Sequence, residues 1–214
     1  MSTHQNDRRI AGPFKVPMTG FIGTTIEYYD FFIYGTAAAL VFPRLFFPEA
    51  TPVMGTLLSF ATFGVGFLAR PLGGIVFGHF GDRIGRKKML IISLVGMGLA
   101  TMLMGLLPGY AQIGIAAPIL LTLLRLFQGF MVGGEWGGAT LMAVEHAPKG
   151  KRGFYGAFPQ TGAPAGTALA TVAFLSVSQL PDEAFFTWGW RLPFLVSSVL
   201  VVVGLIIRMA VSES

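Results

Sequence analysis

The feature that most constrains this sequence is a charged stretch at residues 78–88, which reads GHFGDRIGRKK. Its five formal charges and three glycines lie in a short gap between two long apolar segments. Charged side chains are costly inside a bilayer, whereas glycine allows a tight turn of the backbone. The stretch therefore predicts a short cytoplasmic hairpin between two membrane helices.

The composition is also that of a membrane protein. Hydrophobic residues make up 53% of the chain and charged residues only 12%, whereas an ordinary globular domain carries about 25% charged residues. A bilayer core needs roughly 20 apolar residues per helix, so a chain of 214 residues has room for about six spanning helices. We expect an all-α polytopic membrane protein with the lipid bilayer around it.

The composition excludes several kinds of site. The chain has no cysteine, so disulfides and thiolate metal ligands are impossible. His4, His79 and His146 are scattered, and no nucleophile with a base stands out. The net charge of +5 comes from short loops rather than from one basic face, which argues against nucleic acid as a partner. We expect neither an enzyme nor a metal site nor a bound cofactor.

Short polar connections divide the chain into apolar segments. We expect a cytoplasmic tail at 1–16, a six-helix transmembrane bundle at 17–210 and the start of a cytoplasmic loop at 211–214. The predicted spans are 17–42, 53–79, 89–107, 113–144, 153–177 and 190–210.

Lysine and arginine are unevenly divided between these connections. Most of them lie in the N-terminal tail, the second and fourth connections and the C-terminal end, whereas the opposite side has only Arg44 and Arg191. Loops rich in lysine and arginine face the cytoplasm. Both termini are therefore predicted to lie on the cytoplasmic side of the inner (plasma) membrane.

Ionisable residues interrupt the apolar segments at five positions, which are Glu27, Asp30, Arg70, Arg125 and Glu135. Ionisable groups at membrane depth are costly, and they normally face a protein interior or a wet cavity on an ion or substrate path. A transport pathway is therefore the first functional hypothesis.

Glu27, Asp30 and Tyr34 share one face of the first helix, because they are spaced i, i+3 and i+7. Two carboxylates one turn apart in a low-dielectric setting cannot both ionise cheaply, so we expect a coupled pair, as a proton carrier requires. A rise of about 1.5 Å per residue places Glu27 and Arg70 at similar depths, so Arg70 can hold one carboxylate ionised. The alternative is a structural ion pair between the first and second helices.

Arg125 is also predicted near the midplane, one turn before Gln128. It either fixes an anion or modulates the protonation of a nearby acid, or else it only satisfies backbone carbonyls. Nearer the inner surface lie Glu135, Glu145, Lys149, Lys151 and Arg152. They form either a salt-bridge network that opens and closes or interfacial charges that take no part in transport.

Glycines recur at four-residue spacing in the fourth and fifth predicted helices. These glycines are Gly129, Gly133 and Gly137 in the fourth helix and Gly162 and Gly166 in the fifth. Such ridges let helix backbones approach closely in lipid, so we expect tight helix pairs at both places.

Several of these motifs resemble the major facilitator superfamily of transporters. The residues that match its loop signature between helices two and three are Gly78, Asp82, Arg83, Gly85, Arg86 and Lys87. The residues that match its fourth-helix signature are Arg125, Gln128, Gly129 and Gly133. Stretches at 27–31, 66–74, 133–138 and 188–194 are similar to the metabolite:proton symporter family, whose members take up shikimate, 2-oxoglutarate, citrate, proline and betaine. Tyr28 departs from that family, which usually has Trp there.

The resemblance and the placement of charges together assign candidate roles. The candidates for proton coupling are Asp30, Glu27 and Arg125. The candidates for substrate binding are Arg70, Tyr34, Gln160 and Arg191. The candidates for a cytoplasmic gate are Gly78, Asp82, Arg83, Gly85, Arg86, Glu135, Glu145 and Arg152. An interfacial anchor is the alternative role for Arg191.

Length is where the chain departs from the family it resembles. Members of that family have twelve helices in two halves, with the substrate between the halves. Residues 207–214 resemble the start of the family's central loop, so we expect the N-terminal six-helix half of a symporter for a proton and a small organic acid or zwitterion. It would work with a missing C-terminal half or with a parallel second copy. The rival expectation is a transport-inactive half-bundle that serves as an assembly module.

Overall fold

The computed structural model describes residues 15–145, 147 and 150–212, and every regular element in these ranges is helical. The α-helices are α1 (Lys15–Leu40), α2 (Phe42–Leu45), α3 (Pro52–Ile84), α4 (Arg86–Leu106), α5 (Tyr110–Ile113), α6 (Ala116–Glu145), α7 (Arg152–Ala157), α8 (Gly162–Val177), α9 (Asp182–Ala184) and α10 (Arg191–Ser212). A 3₁₀ turn at Phe158–Thr161 joins α7 to α8, and a π-helical turn at Phe185–Gly189 precedes α10.

The hairpin at residues 78–88 is tighter than its sequence predicts. Helix α3 continues to Ile84 and α4 begins at Arg86, so Gly85 alone makes the turn. The φ angle of Gly85 is +105°, a conformation that glycine adopts without a steric penalty. The charges of the stretch therefore lie on the last turns of α3 and the first turn of α4, which we call the Gly85 end of the bundle.

Most of the predicted spans agree with helices of the structure to within a few residues. The first, third, fourth and sixth spans correspond to α1, α4, α6 and α10. The fifth is divided into α7, the 3₁₀ turn and α8, with Pro159 in the turn between them. Proline has no backbone N–H to donate, so it favours such an interruption.

Four described segments are long and apolar enough to cross a membrane, and they are 52–84, 87–106, 116–135 and 182–207. Helix α1 has 26 residues but carries Glu27 and Asp30, and α8 has only 16 residues. With the 3₁₀ turn and α7, α8 forms one longer, interrupted helical segment. The predicted fold class, an all-α polytopic membrane protein, is confirmed.

Helix α1 lies at the centre of the bundle. It packs against α8 and α10 and also contacts α3 and α6, while α6 packs along α3 and α4. Near α2, the rings of Tyr34, Phe42, Trp190 and Phe194 form an aromatic cluster with centroids 5.1–6.3 Å apart. This cluster packs the end of α1 against the start of α10, so side chains on one face of α1 have fixed neighbours.

Glycine ridges bring two pairs of helices into backbone contact. A Cβ on Gly129 would overlap the carbonyl oxygen of Gly66 on α3, and a Cβ on Gly133 would overlap that of Arg70. A Cβ on Gly166 would likewise overlap the Thr25 carbonyl oxygen of α1. The predicted tight pairs are therefore confirmed as α3 with α6 and α1 with α8.

Two glycines of α3 test this packing as a matched pair. We expect Gly73→Ala to destabilise the bundle by about 1–3 kcal/mol, because the new Cβ overlaps the Phe130 carbonyl oxygen of α6. Gly64→Ala places its Cβ in open space on the same helix and should not lower stability, because alanine is the better helix former. Unfolding of both variants in mixed micelles measures the difference, and equal stabilities would contradict the close approach.

Candidate functional site

Asp30 is buried in the middle of the bundle and faces α4 and α10. Its side chain is 2% exposed, and its two carboxylate oxygens accept hydrogen bonds from different helices. The Thr101 hydroxyl on α4 donates to Oδ2 over 2.7 Å, and the Ser197 hydroxyl on α10 donates to Oδ1 over 2.5 Å. A buried carboxylate needs such donors, so Asp30 ties α1 to α4 and α10.

The hydrogen bonds continue from Asp30 to a buried arginine on α6. The amide Nε2 of Gln128 donates to Thr101 Oγ1 over 2.7 Å, and a guanidinium N–H of Arg125 donates to Gln128 Oε1. All five side chains are at most 4% exposed. We call Ser197, Asp30, Thr101, Gln128 and Arg125 the buried polar chain. It joins four helices, and Thr101 and Gln128 connect the acid Asp30 to the base Arg125.

Aromatic rings surround the guanidinium of Arg125. Its Cζ atom lies 4.5 Å from the ring centroid of Tyr34 and 4.7 Å from that of Phe63. The Tyr34 hydroxyl is hydrogen-bonded to Thr62 over 2.7 Å, which fixes the ring. Cation–π contact offsets part of the cost of burying this charge, and a Cβ on Gly66 would lie 2.8 Å from Arg125 Nε, so a glycine is needed there.

Glu27 faces a different side of the bundle and pairs with Arg70. The distance from Arg70 Nη1 to Glu27 Oε1 is 3.6 Å, and the side chains are 31% and 7% exposed. The Arg70 guanidinium also lies 4.6 Å from the ring centroid of Phe67. With Tyr28 and Phe31 these residues line a cavity of about 140 Å³, which we call the ion-pair cavity.

The structure therefore separates two acids that the sequence places together. Glu27 and Asp30 lie on neighbouring turns of α1, but Glu27 contacts Arg70 of α3, whereas Asp30 contacts α4 and α10. Arg70 is consequently the ion-pair partner of Glu27. Arg125 is connected to Asp30 by hydrogen bonds through Gln128 and Thr101.

Three candidate substrate residues lie outside the ion-pair cavity. Tyr34 is fully buried against Arg125. Gln160 is exposed in the 3₁₀ turn between α7 and α8. Arg191 donates to the carbonyl oxygens of Gly105 and Leu107, each over 2.8 Å, and so joins the start of α10 to the end of α4.

Four of the gate candidates lie at the Gly85 end. Gly78, Asp82, Arg83 and Gly85 belong to the end of α3 and its turn, and Arg152 is exposed at the start of α7. Glu135 is buried on α6. The side chains of Arg86 and Glu145 lie outside the part of the chain that the structure describes.

Thr101, Ser197 and Phe63 belong to the site although the sequence did not single them out. Hydroxyls in membrane helices commonly bond to a carbonyl of their own helix, as Thr25, Thr36 and Thr122 do here. Nothing in the sequence distinguishes Ser197 from such residues. Its role follows only from the position of α10 beside Asp30.

Comparison with known proteins decides the family. The family model described as "Sugar (and other) transporter" matches residues 16–214. The chain belongs to this family. It is 56% identical over 201 residues to the Inner membrane metabolite transport protein YhjE of Escherichia coli K12, an alignment that covers 94% of this chain and 46% of the relative.

Two further relatives and a solved structure agree with this family. The Shikimate transporter of Escherichia coli K12 is 54% identical over 94% of this chain and 46% of its own length. The Proline/betaine transporter of Salmonella typhimurium is 44% identical over 90% of this chain and 39% of its own length. The fold matches an inward open structure of the xylose transporter XylE from E. coli with a TM-score of 0.79, at 16% identity, over 92% of this chain and 48% of XylE.

The comparisons confirm that the chain belongs to a family of membrane transporters and that its relatives are not enzymes. The family model and the relatives, together with the shared fold, confirm the resemblance to the major facilitator superfamily. The chain spans about half the length of the curated relatives it matches, with 46% of the first two covered. It therefore has one half of a major facilitator fold.

The buried polar chain predicts a large cost for removing its central amide. We expect Gln128→Leu to destabilise the bundle by about 1–3 kcal/mol, because Thr101 loses its donor and Arg125 loses its side-chain acceptor and keeps the Phe63 carbonyl oxygen at 3.5 Å. Gln179→Leu is the control, since Gln179 is exposed and its amide donates a long hydrogen bond of 3.5 Å to Leu175 O. Denaturant unfolding in mixed micelles measures both variants, and an equal effect would contradict a structural role for the chain of hydrogen bonds.

Proposed function

We propose that this protein takes part in the symport of protons with a small organic acid or zwitterion by alternating access. The chain supplies one six-helix half of the transporter. The observation that carries the proposal is the Glu27–Arg70 ion pair at the ion-pair cavity, where an acid and a base lie beside space for a ligand. Ionisable residues at membrane depth commonly mark such a path.

Arg70 is suited to bind the carboxylate of the substrate. Its guanidinium is partly exposed to the cavity, and its contact with Glu27 is an ion pair of 3.6 Å rather than a short hydrogen bond. Guanidinium groups bind carboxylates through two parallel N–H bonds, so a substrate acid competes with Glu27 for the same donors. The aromatic rings of Tyr28, Phe31 and Phe67 supply apolar contact around that acid.

This competition couples the proton to the substrate. When Glu27 is ionised, it holds Arg70, and a second carboxylate would meet its negative charge. When Glu27 takes a proton, Arg70 keeps its charge and is free to pair with the substrate. Proton and acid therefore enter together, and neither is favoured alone.

Asp30 is the second proton-binding group in this proposal. It lies one turn from Glu27 on α1 but inside the buried polar chain, which connects it to Arg125. A buried charge that changes on protonation alters the packing energy of the helices around it. Protonation of Asp30 thus changes its contacts with α4 and α10. The ring of Tyr34 holds Arg125 in place.

The remaining candidates have supporting roles. Arg191 acts as an anchor between α4 and α10, because its donors are used by two backbone carbonyls. Gln160, in the exposed 3₁₀ turn, is placed to meet substrate or the second half of the transporter. The residues at the Gly85 end form the cytoplasmic gate, with both termini in the cytoplasm and the bundle in the inner membrane.

The partner that completes the site is a second six-helix unit. The relatives are about twice as long as this chain, and the ion-pair cavity is open on one side with Arg70 31% exposed. The unit is either a C-terminal half or a second, parallel copy. Among the relatives, one is named for shikimate and others for proline and betaine, so acids and zwitterions are the substrate classes to test first.

An inactive half-bundle is the second candidate function. The supporting observation is that the chain covers only 46% of its transporter relatives. Subunit number in lipid nanodiscs, measured beside uptake into liposomes, separates the two. A strict monomer with no uptake at any pH favours the assembly module.

Uptake driven by a proton gradient tests the coupling residues. In the active assembly, we expect Glu27→Gln and Asp30→Asn to lose accumulation of carboxylates or betaines while substrate exchange at equal pH persists, because the charge-neutral side chain no longer exchanges a proton. Glu183→Gln should behave as wild type, since Glu183 is exposed at the start of α9. Accumulation that survives in Asp30→Asn would contradict the mechanism.

Arg70 has its own test in the same assay. Arg70→Lys keeps the charge but not the planar pair of donors, so we expect at least about a tenfold weaker affinity for carboxylates. Arg44→Lys is the matched control, because Arg44 is exposed on α2 and lies outside the cavity. Unchanged affinity in Arg70→Lys would remove Arg70 from the substrate site.

A further inference from the structure

We propose that Ser197 of α10 is a positioning residue that holds Asp30 in its ionised form, so that release of the proton depends on α10 being docked against α1. This inference rests on the proposed function, since it assumes that Asp30 is a proton-binding group. It adds a residue to which neither the motifs nor the comparisons assign a role.

The Ser197 hydroxyl points away from its own helix, unlike neighbouring hydroxyls. Ser198 donates to Leu195 O over 2.6 Å, and Ser93 donates to Leu90 O over 3.0 Å, both within one helix. Ser197 is fully buried, and its hydrogen bond crosses from α10 to Asp30 Oδ1 on α1. The bond is therefore a contact between helices, and it exists only while α10 lies beside α1.

Thr101 and Ser197 respond differently when Asp30 takes a proton. Thr101 has two acceptors within reach, Asp30 Oδ2 at 2.7 Å and Met97 O at 3.1 Å. Its hydroxyl can turn to donate to Met97 O and accept a hydrogen bond from the protonated carboxyl of Asp30, so it loses no partner. Ser197 has only Asp30 as its hydrogen-bond partner in the described structure, so its bond changes from one with a charged acceptor to a weaker one with a neutral acceptor.

A second bond holds the same two helices together one turn away. The Tyr29 hydroxyl of α1 donates to Pro193 O of α10 over 2.7 Å. Protonation of Asp30 leaves this bond in place and weakens the Ser197 bond. The contact between α1 and α10 is therefore loosened but not broken, as a reversible step requires.

The effect of the Ser197 hydroxyl on Asp30 can be separated from the effects of the charged and titratable groups on the surrounding helices. Helix α6 provides Arg125 through Gln128, α3 provides Arg70 beside Glu27, and α10 provides Arg191 at its far end. The further titratable side chains described on these elements and on α1 and α4 are Tyr28, Tyr29, Tyr34, His79, Asp82, Arg83, Lys87, Lys88 and Glu135. Replacing Ser197 with alanine removes one hydrogen bond and alters none of these charges.

Infrared titration of the full chain in lipid nanodiscs tests the proposal without requiring transport. The protonated carboxyl band of Asp30 is assigned as the band lost in Asp30→Asn. Because the Ser197 hydroxyl favours the ionised form, we expect Ser197→Ala to move the midpoint of this band upward by roughly one pH unit. Ser197→Thr keeps the hydroxyl and should restore the wild-type midpoint.

Ser198→Ala is the matched control, since it removes a neighbouring hydroxyl on the same helix that bonds only within α10. Its midpoint should equal that of wild type. An unchanged midpoint in Ser197→Ala, or an equal shift in Ser198→Ala, would overturn the proposal. Loss of uptake in Asp30→Asn is measured separately, so a failure of the proposed transport and a failure of the Ser197 contact give different results.

Discussion

The packing of this bundle depends on the buried carboxylate of Asp30. Lipid offers no hydrogen-bond donors, so the charge has to be satisfied by side chains from other helices. Thr101 and Ser197 supply the donors, and Gln128 connects them to the buried cation of Arg125. Helices α1, α4, α6 and α10 are consequently held in one arrangement by a single run of hydrogen bonds.

Close approach of the helix backbones makes this run of hydrogen bonds possible. Gly66 leaves space for the Arg125 side chain, and Gly129 and Gly133 bring α6 against α3. Larger residues at these positions would push α6 outward. The glycine ridges are thus part of the site as well as of the packing, because they set the distance across which Arg125 can act.

The two acids of α1 have different surroundings and so suit different tasks. Glu27 borders a cavity and pairs with Arg70, whereas Asp30 is enclosed and contacts two other helices. An acid at the cavity that takes a proton can release its basic partner to a substrate. A group inside the bundle can convert a change of charge into a change of helix contact, which is what alternating access requires of a proton site.

The sequence by itself determined the helical membrane class, the approximate spans, the tight glycine pairs and the family, because these depend on apolar length, residue spacing and local motifs. It also singled out Glu27, Asp30, Arg70 and Arg125, since charges stand out in apolar helices. Only the tertiary structure decided that Arg70 pairs with Glu27 rather than with Asp30 and that Asp30 bonds to Ser197. The reason is physical: neighbouring turns of one helix face different helices, and a serine in an apolar segment looks the same whether it bonds within its own helix or across to another.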